Sequence, residues 1–285
     1  MIDHNMRSLE MQMELEPTGE RMILDRYQSS PEDYAIYLMH IATYRFAEPY
    51  TQGKRVLDYG CGSGYGSALI AETAARVTGV DVAEDAVAFA RDRFKRDNLD
   101  YRRVAPDGPL PFEDAAFDTV LSFQVLEHIA DPSLYLSEIR RVLTPGGRLV
   151  LATPDRSTRL LPLQRPWNRW HVHEYGAAEL ERLLARHFPR VEVMGMGGTP
   201  DLIDIELRRA RRVKWLTLPF TLPLMPDRWR VCALNLLHRL RGPGIATGAP
   251  REYPWTVSDV TIGKNASPSV NLVAVAESGQ GKANA

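Results

Sequence analysis

Cysteine is almost missing from this sequence of 285 residues: Cys61 and Cys232 are the only two. They make no disulfide framework and no structural zinc set, which points to a reducing compartment. An excess of charge of one sign is missing as well. Thirty-five Lys and Arg stand against 36 Asp and Glu, a net charge of −1, so nucleic acid drawn by bulk charge is not an expected partner. No apolar run reaches the roughly 18 residues of a spanning helix. Met1–Glu20 is polar and acid-containing, without the apolar centre of a signal peptide, so a cytoplasmic location is expected. Internal repeats are absent. With 44% hydrophobic and 25% charged residues, the composition is that of a globular chain.

What is present is alternation. Residues 31–48 read as a helix, with Pro31 suited to its first turn and Tyr34, Leu38 and Ile41 on one face. From residue 54 onward short apolar strands alternate with helices. Strands are expected at 55–59, 76–82, 101–105, 117–124, 148–153 and 191–196, and a last one at 271–277. Helices are expected at 65–75, 84–96, 132–143 and 177–188, the third stopped by Pro145-Gly146-Gly147. Such alternation predicts an α/β fold: a mostly parallel sheet of seven strands with helices on both faces. The nearly continuous apolar runs VLD, TVLSF and RLVLAT fit strands buried on both sides. We divide the chain into an N-terminal helical cover (1–53), a core (54–198), an insertion (199–265), and the last core strand with its tail (266–285).

The sharpest local feature is VLDYGCGSGYG, residues 56–66. A buried strand ends in Asp58, glycines follow at 60, 62, 64 and 66, and a helix begins. Glycine lets the backbone turn sharply and approach a ligand closely, and the carboxyl end of the first strand is where open α/β sheets bind ligands. A dinucleotide is one reading of this spacing. Asp58 argues against it, because a carboxylate ahead of the glycines suits a cationic group and repels a pyrophosphate. Asp81, at the end of the second strand in GVDVAEDAV (79–87), is placed to accept ribose hydroxyls or to start the next helix. Cys61 has the small size the loop needs, so packing is its expected role, and Cys232, in an apolar stretch, is expected to be inert.

Four blocks in order resemble the class I S-adenosylmethionine-dependent methyltransferases. They are VLDYGCGSGYG, GVDVAEDAV, LPFEDAAFDTVLSFQVLEHI (110–129) and RRVLTPGGRLVLATP (140–154). TGERM (18–22), HIATYRFA (40–47) and NRWHVHEY (168–175) are similar to glycan-associated and small-molecule methyltransferases within that group. The resemblance implies a Rossmann-like fold with S-adenosyl-L-methionine as cofactor. It implies that Asp58, Gly60, Gly62 and Gly64 hold the methionine part, Asp81 the ribose, and Val82 the adenine face. The acid often found near the adenine amine falls at Pro106, with Asp107 one residue on. Gln124 stands where relatives usually carry Glu, and Tyr44 and Arg45 would cap the methionine carboxylate, unless the Tyr44 helix only packs. The departures at Gln124 and Pro106 leave open a cofactor-binding subunit without catalysis. An NAD-dependent dehydrogenase is disfavoured by Asp58 and by the missing pattern of a substrate domain.

Methyl transfer from a sulfonium is an in-line displacement that needs alignment and exclusion of water, and no metal. A hydroxyl acceptor is helped by a base, usually histidine. His128 follows the fourth strand, with Glu127 expected as a solvated neighbour. In HVHE an extended chain faces His171 and His173 the same way, but no third metal ligand stands at a recognisable spacing. Acceptor hydroxyls of a glycan or a lipid-linked molecule are the first expectation, and a phenol or quinone-ring hydroxyl on an isoprenoid is the second. The insertion shows no clear period. Residues 199–242 carry nine basic and four acidic side chains, a net +5 that leaves −6 on the rest. Pro219, Pro223 and Pro226 are expected to prevent one continuous helix. Residues 213–237 read as a lid, a homodimer surface or a peripheral membrane contact, the last through Trp215, Phe220, Trp229 and their basic neighbours.

Overall fold

The structure, a computed structural model, describes residues 30–106, 108–241 and 252–280. TGERM and Asp107 therefore lie outside the described residues.

An eight-stranded sheet in the order β3-β2-β1-β4-β5-β8-β6-β7 forms the centre of the fold. The first helix, α1 (Pro31–Thr51), starts where the Ser30 hydroxyl accepts the Asp33 N–H at 3.0 Å, satisfying one orphan donor of the first turn. Then come β1 (Arg55–Tyr59), α2 (Tyr65–Ile70), β2 (Arg76–Asp81), α3 (Glu84–Arg93), β3 (Leu99–Arg103) and β4 (Phe117–Phe123). A 3-10 turn, Leu126–His128, leads to α4 (Pro132–Val142), β5 (Leu143–Pro154), the single turn α5 (Arg156–Arg159), α6 (Ala177–Ala185) and β6 (Arg190–Gly198). The strands β1 to β5 pair in parallel, and β8 (Asn271–Glu277) runs antiparallel between β5 and β6. Neighbours of β1 on its two sides are β2 and β4, so the strand order reverses there and opens a crevice at the carboxyl ends of β1 and β4.

Two expectations need correction. The sheet has eight strands, not seven, because β7 (Val260–Gly263) adds to the outer edge of β6. The insertion is periodic after all: it holds α7 (Pro200–Thr221) and α8 (Asp227–Arg241). On α7 the buried side chains are Leu202, Ile203, Glu206, Ala210, Val213, Thr217 and Thr221, a spacing of three and four that defines one helical face. Half of that face is polar or small, which hides the period from an apolar pattern. Pro219 sits inside α7, and the break comes later, around Pro223 and Pro226. Among the described residues no helix is long and apolar enough to cross a membrane. Cys232 is exposed on α8.

The glycines after β1 divide by role. A Cβ on Gly66 would meet the Tyr44 ring at 1.8 Å, and one on Gly60 would meet Val125 Cγ2 at 2.3 Å. Gly66 thus exists to let α1 lie against α2. We expect Gly66→Ala to destabilise the chain by roughly 1–3 kcal/mol, the usual penalty for overpacking. Urea unfolding checks this, and the midpoint should fall at unchanged slope.

Candidate active site

Asp58, next to last in β1, is buried. Its Oδ2 accepts the Ser67 hydroxyl of α2 at 2.6 Å and the Tyr44 hydroxyl of α1 at 3.2 Å. Burial pushes its carboxyl up to about 6, against the pull of those two hydroxyls and with a further push from Asp81. The carboxylate therefore joins the strand to both helices before any ligand arrives. Tyr44 is a packing residue as well as a hydrogen-bond donor: its ring lies edge-on to Tyr65 and Phe123. Arg45 turns outward and pairs with Glu48.

Gly60, Gly62 and Gly64 have φ of 85°, 53° and 85°, the left-handed region that glycine enters without strain. The Gly60 and Cys61 N–H groups donate to the Val80 carbonyl of β2 at 2.8 and 3.0 Å. Asp81 then accepts the Gly62 N–H on Oδ2 and the Ala83 N–H on Oδ1, both at 2.9 Å. It both ties the loop to the start of α3 and stays partly open to solvent. Beside it Val82 is 47% exposed. A half-open carboxylate next to a bared apolar side chain, over a loop of left-handed glycines, fits a nucleoside with a positively charged tail. Gln124, across the crevice, is held at φ 57° with its N–H on the Ala152 carbonyl. That conformation is strained for a residue with a side chain, and it turns Gln124 into the neighbouring cleft.

This cleft, of about 280 Å³, lies between α1, the carboxyl ends of β4 and β5, the 155–176 connection, and α7–α8. Its polar wall includes Gln124, His171, Asn168 and His40, and its apolar wall Met39, Val213, Leu216 and Leu234. His40 was not among the expected site residues. Its Nδ1 lies 2.9 Å from the Tyr65 hydroxyl. The cleft wall also contains Arg159 and Glu206, part of a buried chain of charges that the sequence did not reveal. Arg159 donates to both oxygens of Glu174 at 3.0 and 3.2 Å, and its Nη1 lies 3.8 Å from Glu206 of α7. Arg159 also stacks over Trp167, its guanidinium 4.2 Å from the ring centre. Burial alone pushes the Glu174 carboxyl up, but the Arg159 charge and the bonds from His171 and Arg159 outweigh it and hold it at about 2.

The three expected histidines separate. His171 is buried and its Nδ1 lies 2.8 Å from Glu174 Oε1. His128 stands edge-on to it, ring centres 4.8 Å apart. His173 points elsewhere, toward Glu179 of α6 at 2.9 Å. The chain bends at Val172, so HVHE does not present both rings to one side. Glu127, expected in solvent, is 1% exposed and accepts the Thr153 hydroxyl at 2.9 Å. Burial raises its carboxyl, with His171 and His128 pulling the other way.

Comparison with known proteins agrees with this fold. A family model described as a methyltransferase domain matches residues 57–151. A probable S-adenosylmethionine-dependent methyltransferase of Mycolicibacterium smegmatis is 40% identical over 192 residues, 67% of this chain and 72% of that protein. A ubiquinone biosynthesis O-methyltransferase of Maricaulis maris is 35% identical over 121 residues, 42% of this chain and 48% of that one. A solved SAM-dependent methyltransferase from Thermotoga maritima superposes with a TM-score of 0.54 at 14% identity, over 86% of this chain and 91% of that chain. The last likeness shows the fold alone. The chain belongs to the S-adenosylmethionine-dependent methyltransferases. Bound S-adenosylmethionine supplies a methyl group already activated by its sulfonium charge.

Proposed function

We propose that the chain methylates a hydroxyl on a lipid-linked acceptor with a sugar-like head, and that Asp58, Gly60, Gly62, Gly64, Asp81 and Val82 hold the methyl donor. The cleft carries this reading. Its polar end, with Gln124, Asn168 and His171, suits a hydroxylated head. Its other end is formed by α7 and α8, whose outer surfaces bare Trp215, Trp229 and Leu236, each more than half-exposed. With the basic residues of the same helices these give a surface that rests on anionic lipid and draws an apolar tail. His171 lines the head-group end with His128 packed edge-on against it, and His173 is not among the lining residues. A second reading, a quinone-ring hydroxyl on an isoprenoid tail, is supported by the similarity to the ubiquinone biosynthesis O-methyltransferase.

The test is methyl transfer followed by mass spectrometry. The acceptors are lipid-linked sugars, a prenylated catechol, free sugars and amines, with the lipids carried in anionic vesicles. Transfer to an oxygen of a vesicle-borne acceptor is expected. Replacing Trp215 and Trp229 together by serine should slow it roughly 10-fold, a loss of about 1.4 kcal/mol, without changing the affinity for S-adenosylhomocysteine. Transfer to amines alone would overturn the reading.

A further inference from the structure

We propose that Glu127, His128 and His171 bind one divalent cation of the zinc type, and that its open positions take the hydroxyl oxygen of the acceptor. Ligand atoms of these three residues all lie within 4.8 Å of one another. Around a zinc ion with bonds of about 2.0–2.1 Å, tetrahedral ligand atoms stand roughly 3.4 Å apart, so small side-chain rotations close the site.

The hydrogen bonds behind the two rings make them ligands. His128 Nδ1 lies 3.1 Å from the Trp170 carbonyl oxygen. A carbonyl only accepts, so Nδ1 carries the hydrogen. His171 Nδ1 faces Glu174 Oε1, and that carboxylate already accepts two bonds from Arg159. It is an anion, and His171 Nδ1 donates to it. With Nδ1 carrying the hydrogen in the neutral ring, Nε2 is the nitrogen that can ligate. Metal-binding histidines are oriented in this way, with the far nitrogen donating to a carboxylate or a backbone carbonyl.

The backbone fixes the group as a unit. The Glu127 carbonyl accepts the Val172 N–H at 2.7 Å and the His173 N–H at 3.2 Å. This ties the segment carrying His171 to the turn that carries Glu127 and His128. Two imidazole nitrogens and a carboxylate oxygen brought together are three electron-pair donors, and a cation can bind all three at once. Two nitrogens and one oxygen suit zinc and its neighbours, with a position left for a substrate oxygen. Magnesium and calcium prefer an all-oxygen set. His171 also lines the cleft, so the open side of the cation faces the acceptor. A cation there lowers the pKa of a bound hydroxyl, whose proton passes to water. Only this last step rests on the hydroxyl reading above; cation binding does not.

The tag-free full chain, stripped with a chelator, is titrated with Zn²⁺ by calorimetry and with Co²⁺ by visible absorption. We expect one equivalent of each, and d–d bands of a four- or five-coordinate cobalt ion. His128→Ala and His171→Ala should each weaken binding by roughly 100-fold or more, since loss of the groups that merely orient a ligand already weakens it about 10–100-fold. His173→Ala should leave the affinity unchanged. Binding of S-adenosylhomocysteine shows that each variant is folded, and Glu127→Gln replaces any that is not. No stoichiometric uptake, or uptake indifferent to His128 and Glu127, overturns the proposal. The expected uptake with methyl transfer to nitrogen alone keeps the cation site and sinks the hydroxyl reading. Hydroxyl methylation at full rate in a chain that takes up no metal does the reverse.

Discussion

Replacing Arg159 by methionine is expected to lower stability by about 3–5 kcal/mol, the usual result of removing one partner of a buried ion pair. The size follows from what stays behind. Glu174 is fully shielded from solvent, and Arg159 supplies two of its hydrogen bonds. Methionine fills much of the same volume, so the loss measures charge left unpaired more than a cavity. Arg159 also reaches Glu206, which is held by two bonds from Arg209 at 2.6 Å on the buried face of α7. The variant therefore loosens the seat of α7 as well. Other anchors of that helix survive: Gln164 Nε2 still donates to the Thr221 hydroxyl at 2.8 Å, and Lys214 Nζ to the Thr158 carbonyl at 3.1 Å. The glycine loop, Asp58 and Asp81 share no partner with Arg159. S-adenosylhomocysteine should bind the variant as it binds the parent, while the Michaelis constant for acceptor rises. Chemical unfolding and calorimetric titration measure the two effects. Unchanged stability, or equal loss of both ligands, would contradict this account of the charge chain.

The contrast between the two ends of the site explains what the sequence made legible. Strand β1 was readable to the residue, because an apolar run bounded by glycines has one interpretation. The placement of the loop glycines and of Asp81 was readable because their contacts are local: Asp81 reaches Gly62 and Ala83, close to it across one βα turn. Nothing local marks Glu127, His171, Glu174 and Arg159 as one group. They meet because β4 and β5 lie side by side and the 155–176 connection folds back over their ends. The pair His171 and His173 was a reading by spacing, and a single bend at Val172 undid it. Helix α7 was hidden for a different reason. Its buried face carries Glu206, Thr217 and Thr221, and these are satisfied by Arg209, by backbone carbonyls one turn back and by Gln164. A polar residue with a partner packs like an apolar one, but only the structure shows the partner. Strand β7 is four residues long at a sheet edge, too short to register as a pattern.

Asp58→Asn is expected to make the chain more stable at neutral pH and to make it a poorer enzyme. A carboxyl whose pKa in the folded chain lies near 6, above its ordinary 3.8, binds its proton more tightly when folded than when unfolded. Its contribution to stability is then complete below about pH 4 and is lost as the pH rises through about 6. At pH 7.5 the folded chain carries a buried anion at a cost of about 1–3 kcal/mol, given some 1.4 kcal/mol per pKa unit and weaker hydroxyl bonds to a neutral amide. Asparagine keeps the shape, and its oxygen still accepts from Ser67 and Tyr44. The variant should therefore unfold at higher urea than the parent at pH 7.5, and the gap should close as the pH is lowered to 4.5. Affinity for S-adenosylmethionine should move in the opposite direction, falling roughly 10-fold or more with the loss of a desolvated charge facing a cation. The buried carboxylate then destabilises the empty protein and is compensated by the bound donor, the trade common at functional sites. Urea titrations at several pH values and calorimetry with the cofactor read both sides. A variant that gains no stability at pH 7.5 and binds the cofactor normally would show that Asp58 serves only to join α1 and α2 to the sheet.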